Sequence, residues 1–293
     1  MSQSFTVATG QAVLAGRAVG EGLPVVFLHA GVCDKRMWQS QMEAVAEEGW
    51  RAIAYDRRGY GETESADVAF SHVDDLEAVL KALDIHAAVF VGCSMGGGLA
   101  VDFALRHPGQ VIGLVLIGTS VTGAPWTATD AEAQIEAAEE DAYERGDLDM
   151  LNRVQAHEWL DGPRAQSGRV GGAVRALFLD MNAIALGKPN LTLEERPPRA
   201  WDRVAEVSAP TMLLVGDEDF TALIERHEHL SEEMPNAFAA VLEGVAHIPS
   251  IERPDLVNSL LLEFLDAIAG GDDDDLDDET EADETADETE AHD

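Results

Sequence analysis

The chain has 293 residues, 46% of them hydrophobic, enough to bury a substantial core in one large domain or two ordinary ones. Its 56 acidic residues against 19 basic ones give a net charge of -37, which excludes the basic footprint of a nucleic-acid binder. The longest uninterrupted apolar run, Val111 to Gly118, is far short of the roughly 20 residues that cross a bilayer, so no membrane span is expected.

From the N-terminus, Met1 to Val13 has neither a basic stretch nor an apolar one of the secretory kind, and a cytoplasmic location is expected. Strands over Phe5 to Thr9 and Ala12 to Val19, separated by Gly10 and Gln11, predict an antiparallel hairpin. Short apolar runs then alternate with amphipathic segments: strand Pro24 to His29, helix Met37 to Glu48, strand Arg51 to Tyr55, helix Ser71 to Leu83. Strand Ala87 to Val91, helix Met95 to Arg106 and strand Ile112 to Ile117 continue the series. Such alternation predicts a mostly parallel sheet covered by helices on both faces.

The rhythm breaks after Ile117. Helices over Asp130 to Arg145, Leu148 to Trp159 and Arg169 to Leu186 follow, broken by glycines and prolines, before the next strand, Thr211 to Val215. This reads as a helical cap, residues 121–205, inserted between strands six and seven. Helix Leu223 to Glu233, the eighth strand Phe238 to Leu242 and helix Pro254 to Ile268 complete a core of residues 1–120 and 206–270. Residues 271–293 read as a disordered acidic tail. Asp272 to Asp293 holds 14 acids and no Lys or Arg, leaving 42 acids against 19 bases, or -23, on the body. Only Lys35, Lys81 and Lys188 are lysines. An acidic, lysine-poor composition is similar to that of halophilic proteins from salt-loaded cytoplasms, where salt screens self-repulsion; the plainer alternative is an acidic tail on a moderately acidic enzyme.

Three segments carry chemistry. Gly92-Cys93-Ser94-Met95-Gly96 matches G-x-S-x-G between a strand and a helix, the setting that lifts a serine hydroxyl clear of a sheet and puts a helix N-terminus beneath developing negative charge. Strand Thr211 to Val215 runs into Gly216-Asp217-Glu218-Asp219, where three carboxylates compete for an acid role. Of nine histidines, His247 alone stands in the loop directly after the last strand, in Gly244-Val245-Ala246-His247-Ile248-Pro249, His292 being in the tail. Cys33 and Cys93 lie apart with no metal-ligand spacing, so both are expected reduced and buried, and no metal or cofactor is expected.

With Tyr55-Asp56-Arg57-Arg58-Gly59-Tyr60-Gly61 similar to a D-x-R-G-x-G loop, the chain resembles the α/β-hydrolase superfamily over residues 1 to about 270. The resemblance implies the order nucleophile Ser94, acid Asp219, base His247, because that family's turn reads glycine, two variable residues, aspartate. It also implies an oxyanion hole from the backbone amides of Met95 and Gly31, with Val32 the alternative to Gly31. His29 is expected to brace its loop, and His227 and His229 to be solvated. The Ser-Met-Gly-Gly turn is similar to the enol-lactonase, non-haem haloperoxidase-like and carbon-carbon-bond hydrolase branches, and the chain as a whole resembles the enol-lactonase, haloperoxidase-like and esterase branch, whereas the haloalkane dehalogenases carry aspartate at the serine position.

The implied activity is hydrolysis of a small-molecule carboxylic ester or lactone through an acyl-enzyme. The alternatives are a carbon-carbon-bond hydrolase of the same fold and a non-catalytic receptor for a small molecule. Trp126 and Trp159 are the candidate substrate contacts, with Phe178 and Trp201 as further aromatic candidates. Arg153, Arg164, Arg169 and Arg175 are unplaced candidates for holding a substrate carboxylate. The oligomeric state is left open.

Overall fold

The computed structural model describes residues 2–271; the expected acidic tail, apart from its first residue, lies outside the described residues. One sheet organises the chain, in the order β1 (Ser2–Thr9), β2 (Ala12–Val19), β4 (Arg51–Tyr55), β3 (Pro24–Leu28), β6 (Ala88–Cys93), β7 (Val111–Ile117), β8 (Thr211–Gly216) and β9 (Ala237–Leu242). β1 and β2 form the expected antiparallel hairpin, β2 pairs antiparallel with β4, and the other neighbours on this path are parallel. A ninth strand, β5 (Glu64–Ser65), pairs with β2. At two residues it is too short to carry the alternation by which the others are read.

β6 and β8 are buried at every position, as continuous apolar runs require when both sheet faces are covered. Alternate side chains of β3 feed two separate cores. Val25 and Phe27 join Met42 and Val45 of α1 (Gln39–Glu47) and Leu261 and Phe264 of α9 (Pro254–Gly271). Val26 and Leu28 join Leu76 and Val79 of α2 (His72–Ala82), Phe103 of α3 (Met95–Arg106) and Leu230 of α7 (Thr221–Glu233).

The chain steps from β3 outward to β4, then crosses back to β6 on the other side of β3. The loops after β3 and β6 therefore part in opposite directions, which opens a crevice at the carboxyl end of the sheet. Gly31 and Ser94 stand in those two loops.

Between β7 and β8, α4 (Asp130–Glu144), α5 (Leu148–Ala156) and α6 (Gly172–Leu186) stack on one another, with no long strand among them. A capping box starts α4, the Thr129 hydroxyl accepting from the Glu132 amide while the Glu132 carboxylate accepts from the Thr129 amide. α5 ends earlier than its periodicity predicts because the backbone loosens into a π-helical turn, His157–Asp161. α6 begins later, at Gly172, since Gly171 is extended, at φ -123 and ψ -163, and Gly172 itself has φ +61, so the helix cannot run through from Arg169.

Gly96 is where α3 meets β3. A Cβ there would lie 2.1 Å from the Leu28 carbonyl oxygen, so only glycine lets the helix start this close to the strand. Gly96→Ala should lower unfolding stability by about 1–3 kcal/mol, since backbone must shift to admit the methyl group. Denaturant unfolding of the two proteins measures this, and a change below about 0.5 kcal/mol would mean that the helix is free to slide.

Candidate active site

Ser94 occupies the turn between β6 and α3 with φ 54 and ψ -119. A non-glycine residue at positive φ costs of order 1–3 kcal/mol and persists only where neighbours hold it. They do so here on three sides: the Ser94 amide donates to the Ile117 carbonyl at 2.9 Å, and its own carbonyl accepts from the amides of Gly98 and Ser120, both at 3.0 Å. The serine side of the turn is half-buried and Met95, the next residue, is 37% exposed.

Gly31 and Met95 are brought together: a Cβ at Gly31 would lie 2.7 Å from the Met95 sulfur. Neither backbone amide donates a hydrogen bond among the described residues. His29, fully buried, uses one ring nitrogen on its own loop and the other on the loop after β4. Nδ1 donates to the Ala30 carbonyl at 2.8 Å and Nε2 accepts from the Arg57 amide at 3.0 Å. Burial, reinforced by the Arg57 charge, pushes its pKa down to about 3, so it stays neutral and braces the Gly31 loop. The D-x-R-G-x-G segment is likewise structural: Asp56 accepts from the amides of Lys35 and Glu62, and Arg58 makes a buried two-pronged pair with Asp75.

Across the crevice, Asp219 and His247 meet. His247 Nδ1 donates to Asp219 Oδ2 at 2.8 Å, with both side chains buried. The other carboxylate oxygen accepts from the Phe220 amide at 2.8 Å, and His247 Nε2 is buried with no partner among the described residues. Gly118, at φ +48, lies flat against the pair: a Cβ there would come within 2.9 Å of His247 Nδ1 and 3.1 Å of Asp219 Oδ2. Asp217 Oδ1 instead accepts from the Gly244 amide at 2.7 Å, tying the loop after β8 to the loop after β9. Glu218 braces the same loop through its amide, which donates to the Val245 carbonyl at 3.0 Å.

Trp159 lies against the His247 ring at 4.7 Å between centroids and against Phe220 at 4.8 Å. Phe220 in turn meets Trp126 at 5.3 Å, and the Trp126 indole donates to Glu136. Sequence reading missed Phe220, which links the two tryptophans; its position beside Asp219 was the available signal. Phe178 is buried in the core and Trp201 stacks on His229 at 4.0 Å, so neither faces the crevice. His227, expected to be solvated, is buried. Of the four candidate arginines, Arg164 binds Glu132, Arg169 binds Glu252 and Arg175 binds Asp161, while Arg153 is exposed. A cleft of about 340 Å³ is lined by Gly31 and Met95 together with Tyr60, His72, Tyr143 and Arg196, while Ser94, Asp219 and His247 are not on its wall. Neither Trp126 nor Trp159 is on its wall.

Profile comparison matches residues 24–254 to the family described as alpha/beta hydrolase fold. The chain belongs to that family and is an α/β hydrolase. It is 27% identical over 263 residues to the non-heme haloperoxidase of Rhodococcus erythropolis, covering 85% of this chain and 94% of the relative. Among solved structures, a thermophilic esterase from Thermogutta terrifontis superposes with a TM-score of 0.72 at 27% identity, covering 91% of this chain and 99% of that one. Est816, described as an N-acyl homoserine lactone degrading enzyme, gives 0.69 at 27% identity, covering 88% and 99%.

One buried carboxyl near the site has no partner. Glu158, in the π-helical turn beside Trp159, has both oxygens buried and unbonded among the described residues. Burial, with Glu139 and Glu136 adding repulsion, pushes its pKa up to about 9. In the unfolded chain the group ionises near 4.5, so its contribution to stability is greatest below that pH and declines as pH rises toward about 9. Glu158→Gln should therefore melt several degrees above the parent at pH 8 and no higher at pH 4. Melting curves at the two pH values test this; an equal shift at both would mean that ionisation is not the cause.

Proposed function

We propose that the protein hydrolyses a small carboxylic ester or lactone through an acyl-enzyme, with Ser94 as nucleophile, His247 as general base and Asp219 as the acid that orients it. The observation that carries this reading is the buried 2.8 Å hydrogen bond from His247 Nδ1 to Asp219. It fixes the tautomer that leaves Nε2 able to accept the serine proton, and the carboxylate stabilises the imidazolium that results. The Ser94 oxygen attacks the carbonyl carbon and the ester or lactone C–O bond then breaks, His247 returning the proton to the leaving oxygen. Water, deprotonated by the same imidazole, releases the acid product. The amides of Gly31 and Met95 hold the tetrahedral oxyanion, Met95 with the added help of the α3 N-terminus.

Several features support the assignment. Ser94 stands in the positive-φ turn that G-x-S-x-G motifs adopt. The esterase and the lactone-degrading enzyme that the chain superposes on are described as acting on such bonds. Carbon-carbon-bond cleavage is less favoured, because Arg164, Arg169 and Arg175 are already paired with carboxylates. In this reading the 121–205 insertion is a cap over the crevice, with Trp159 forming the wall behind His247 and Trp126 buttressing it through Phe220.

Ser94→Ala should abolish turnover of p-nitrophenyl acetate while leaving the melting temperature within a few degrees. Asp219→Asn should lower kcat by about 10³ or more, and Asp217→Asn by less than about tenfold, since the latter braces Gly244 and not the imidazole. The opposite ranking of the two would assign the acid to Asp217.

The same proposal places the enzyme in a salt-rich cytoplasm. The body charge of -23, three lysines and two buried free thiols support it. Self-repulsion should weaken as the screening length falls from about 10 Å at 0.1 M salt to about 3 Å at 1 M. Melting temperature should thus rise between 0.1 M and 1 M potassium chloride, and a flat response would refute the salt-adapted reading.

A further inference from the structure

Three of the four arginines that the sequence offers as substrate contacts are paired with carboxylates instead. Both Arg164 and Arg169 sit in the turn between the π-helical turn and α6, and each reaches back to the core. The Arg164 guanidinium donates to the Asp217 carbonyl at 2.8 Å and to the Thr221 hydroxyl at 3.1 Å. It also pairs with Glu132 at 3.0 Å, and the fully buried Glu132 carboxylate accepts from the Thr221 amide at 2.7 Å. Asp219 lies midway between Asp217 and Thr221, so its loop is gripped on both flanks. Arg169 donates to the Gly244 carbonyl at 3.0 Å and pairs with Glu252, whose carboxylate accepts from the Ala246 amide at 3.1 Å. Ala246 directly precedes His247. Two residues before Arg164, Gly162 passes so close to Glu218 that a Cβ would lie 2.4 Å from its carbonyl oxygen.

We propose that Arg164 with Glu132, and Arg169 with Glu252, are positioning residues: through them one turn of the inserted segment sets the separation and orientation of Asp219 and His247. This rests on the proposed roles of that pair. None of the four reaches the Asp219 carboxylate or the imidazole; they act by fixing the backbone one to three residues away. Their carboxylates are buried and their guanidinium groups are mostly covered, so salt screens these contacts much less than surface pairs. Any movement of the insertion that loosens the arginines also loosens the imidazole, and the base is competent only while the insertion is seated.

The test uses the full chain with Arg169→Met, Arg164→Met and, as a milder change, Glu252→Gln, which keeps an oxygen for the Ala246 amide and removes the charge. Hydrolysis of p-nitrophenyl acetate gives kcat and KM, and the proton NMR spectrum is scanned downfield for the His247 Nδ1 proton. The methionine variants should lower kcat about tenfold or more with KM within about twofold, and shift or broaden the downfield resonance. Arg169→Lys should recover part of the loss. Unchanged kcat with an unmoved resonance, or a loss confined to KM, overturns the proposal. Should a methionine variant fail to fold, Glu252→Gln decides by the same two readouts. Ser94→Ala separates this proposal from the assignment of the reaction, since it removes turnover and should leave the resonance where it is in the parent protein; the resonance also reports on the clamp if the ester is not a substrate.

Discussion

The turn at Ser94 is a strained piece of backbone held by hydrogen bonds to the neighbouring strand end. Its amide is fixed by Ile117 and its carbonyl by Ser120, so the end of β7 determines where the serine stands. This works only if the backbones come very close, and the approach of Gly96 to the Leu28 carbonyl is the same requirement on the β3 side. Close-packed interiors do not deform by small steps, so a turn gripped from both neighbouring strands is effectively locked. What surrounds the serine, from the Gly31 loop to the Gly118 crossing, is arranged around that lock.

The imidazole is held differently. His247 and Asp219 hang on loops after the last two strands, β9 and β8, of which β9 has a partner on one side only. A pair placed there gets less support from the sheet than Ser94 does in the middle. The additional support comes from polar contacts between loops, Asp217 to Gly244 and Glu218 to Val245, and from the aromatic ring of Trp159. Ser94 is thus held from two neighbouring strands in the middle of the sheet, whereas Asp219 and His247 depend on contacts between loops near its edge.

Much of the fold was legible because the strands are either wholly buried, and so continuously apolar, or bounded by glycine. β5 escaped since two residues carry no pattern, and the π-helical turn escaped since Leu148 to Trp159 keeps a helical period through it. At the site, the turns after β6 and β8 are local in sequence and could be read directly. Partnerships across the chain could not: nothing in the sequence says that Arg164 meets Glu132, 32 residues away, or that Trp201 covers His229. His227 is buried although its helix is polar on average, because its own face turns inward beside Leu223 and Leu230. Aromatic residues in the insertion were sorted only by burial, which their identity does not reveal.

The scarcity of lysine has a practical corollary. Lys35 is tied to Asp56 and Glu62, and Lys188 donates to the Thr63 carbonyl. Lys81 alone of the three is exposed, near the end of α2 that leads into the start of β6, whereas Ser94 follows the other end of that strand. Amine-reactive chemistry on side chains therefore has one favoured address, remote from the crevice. Tethered to a solid support through that residue, the molecule would present its crevice outward to the flowing phase.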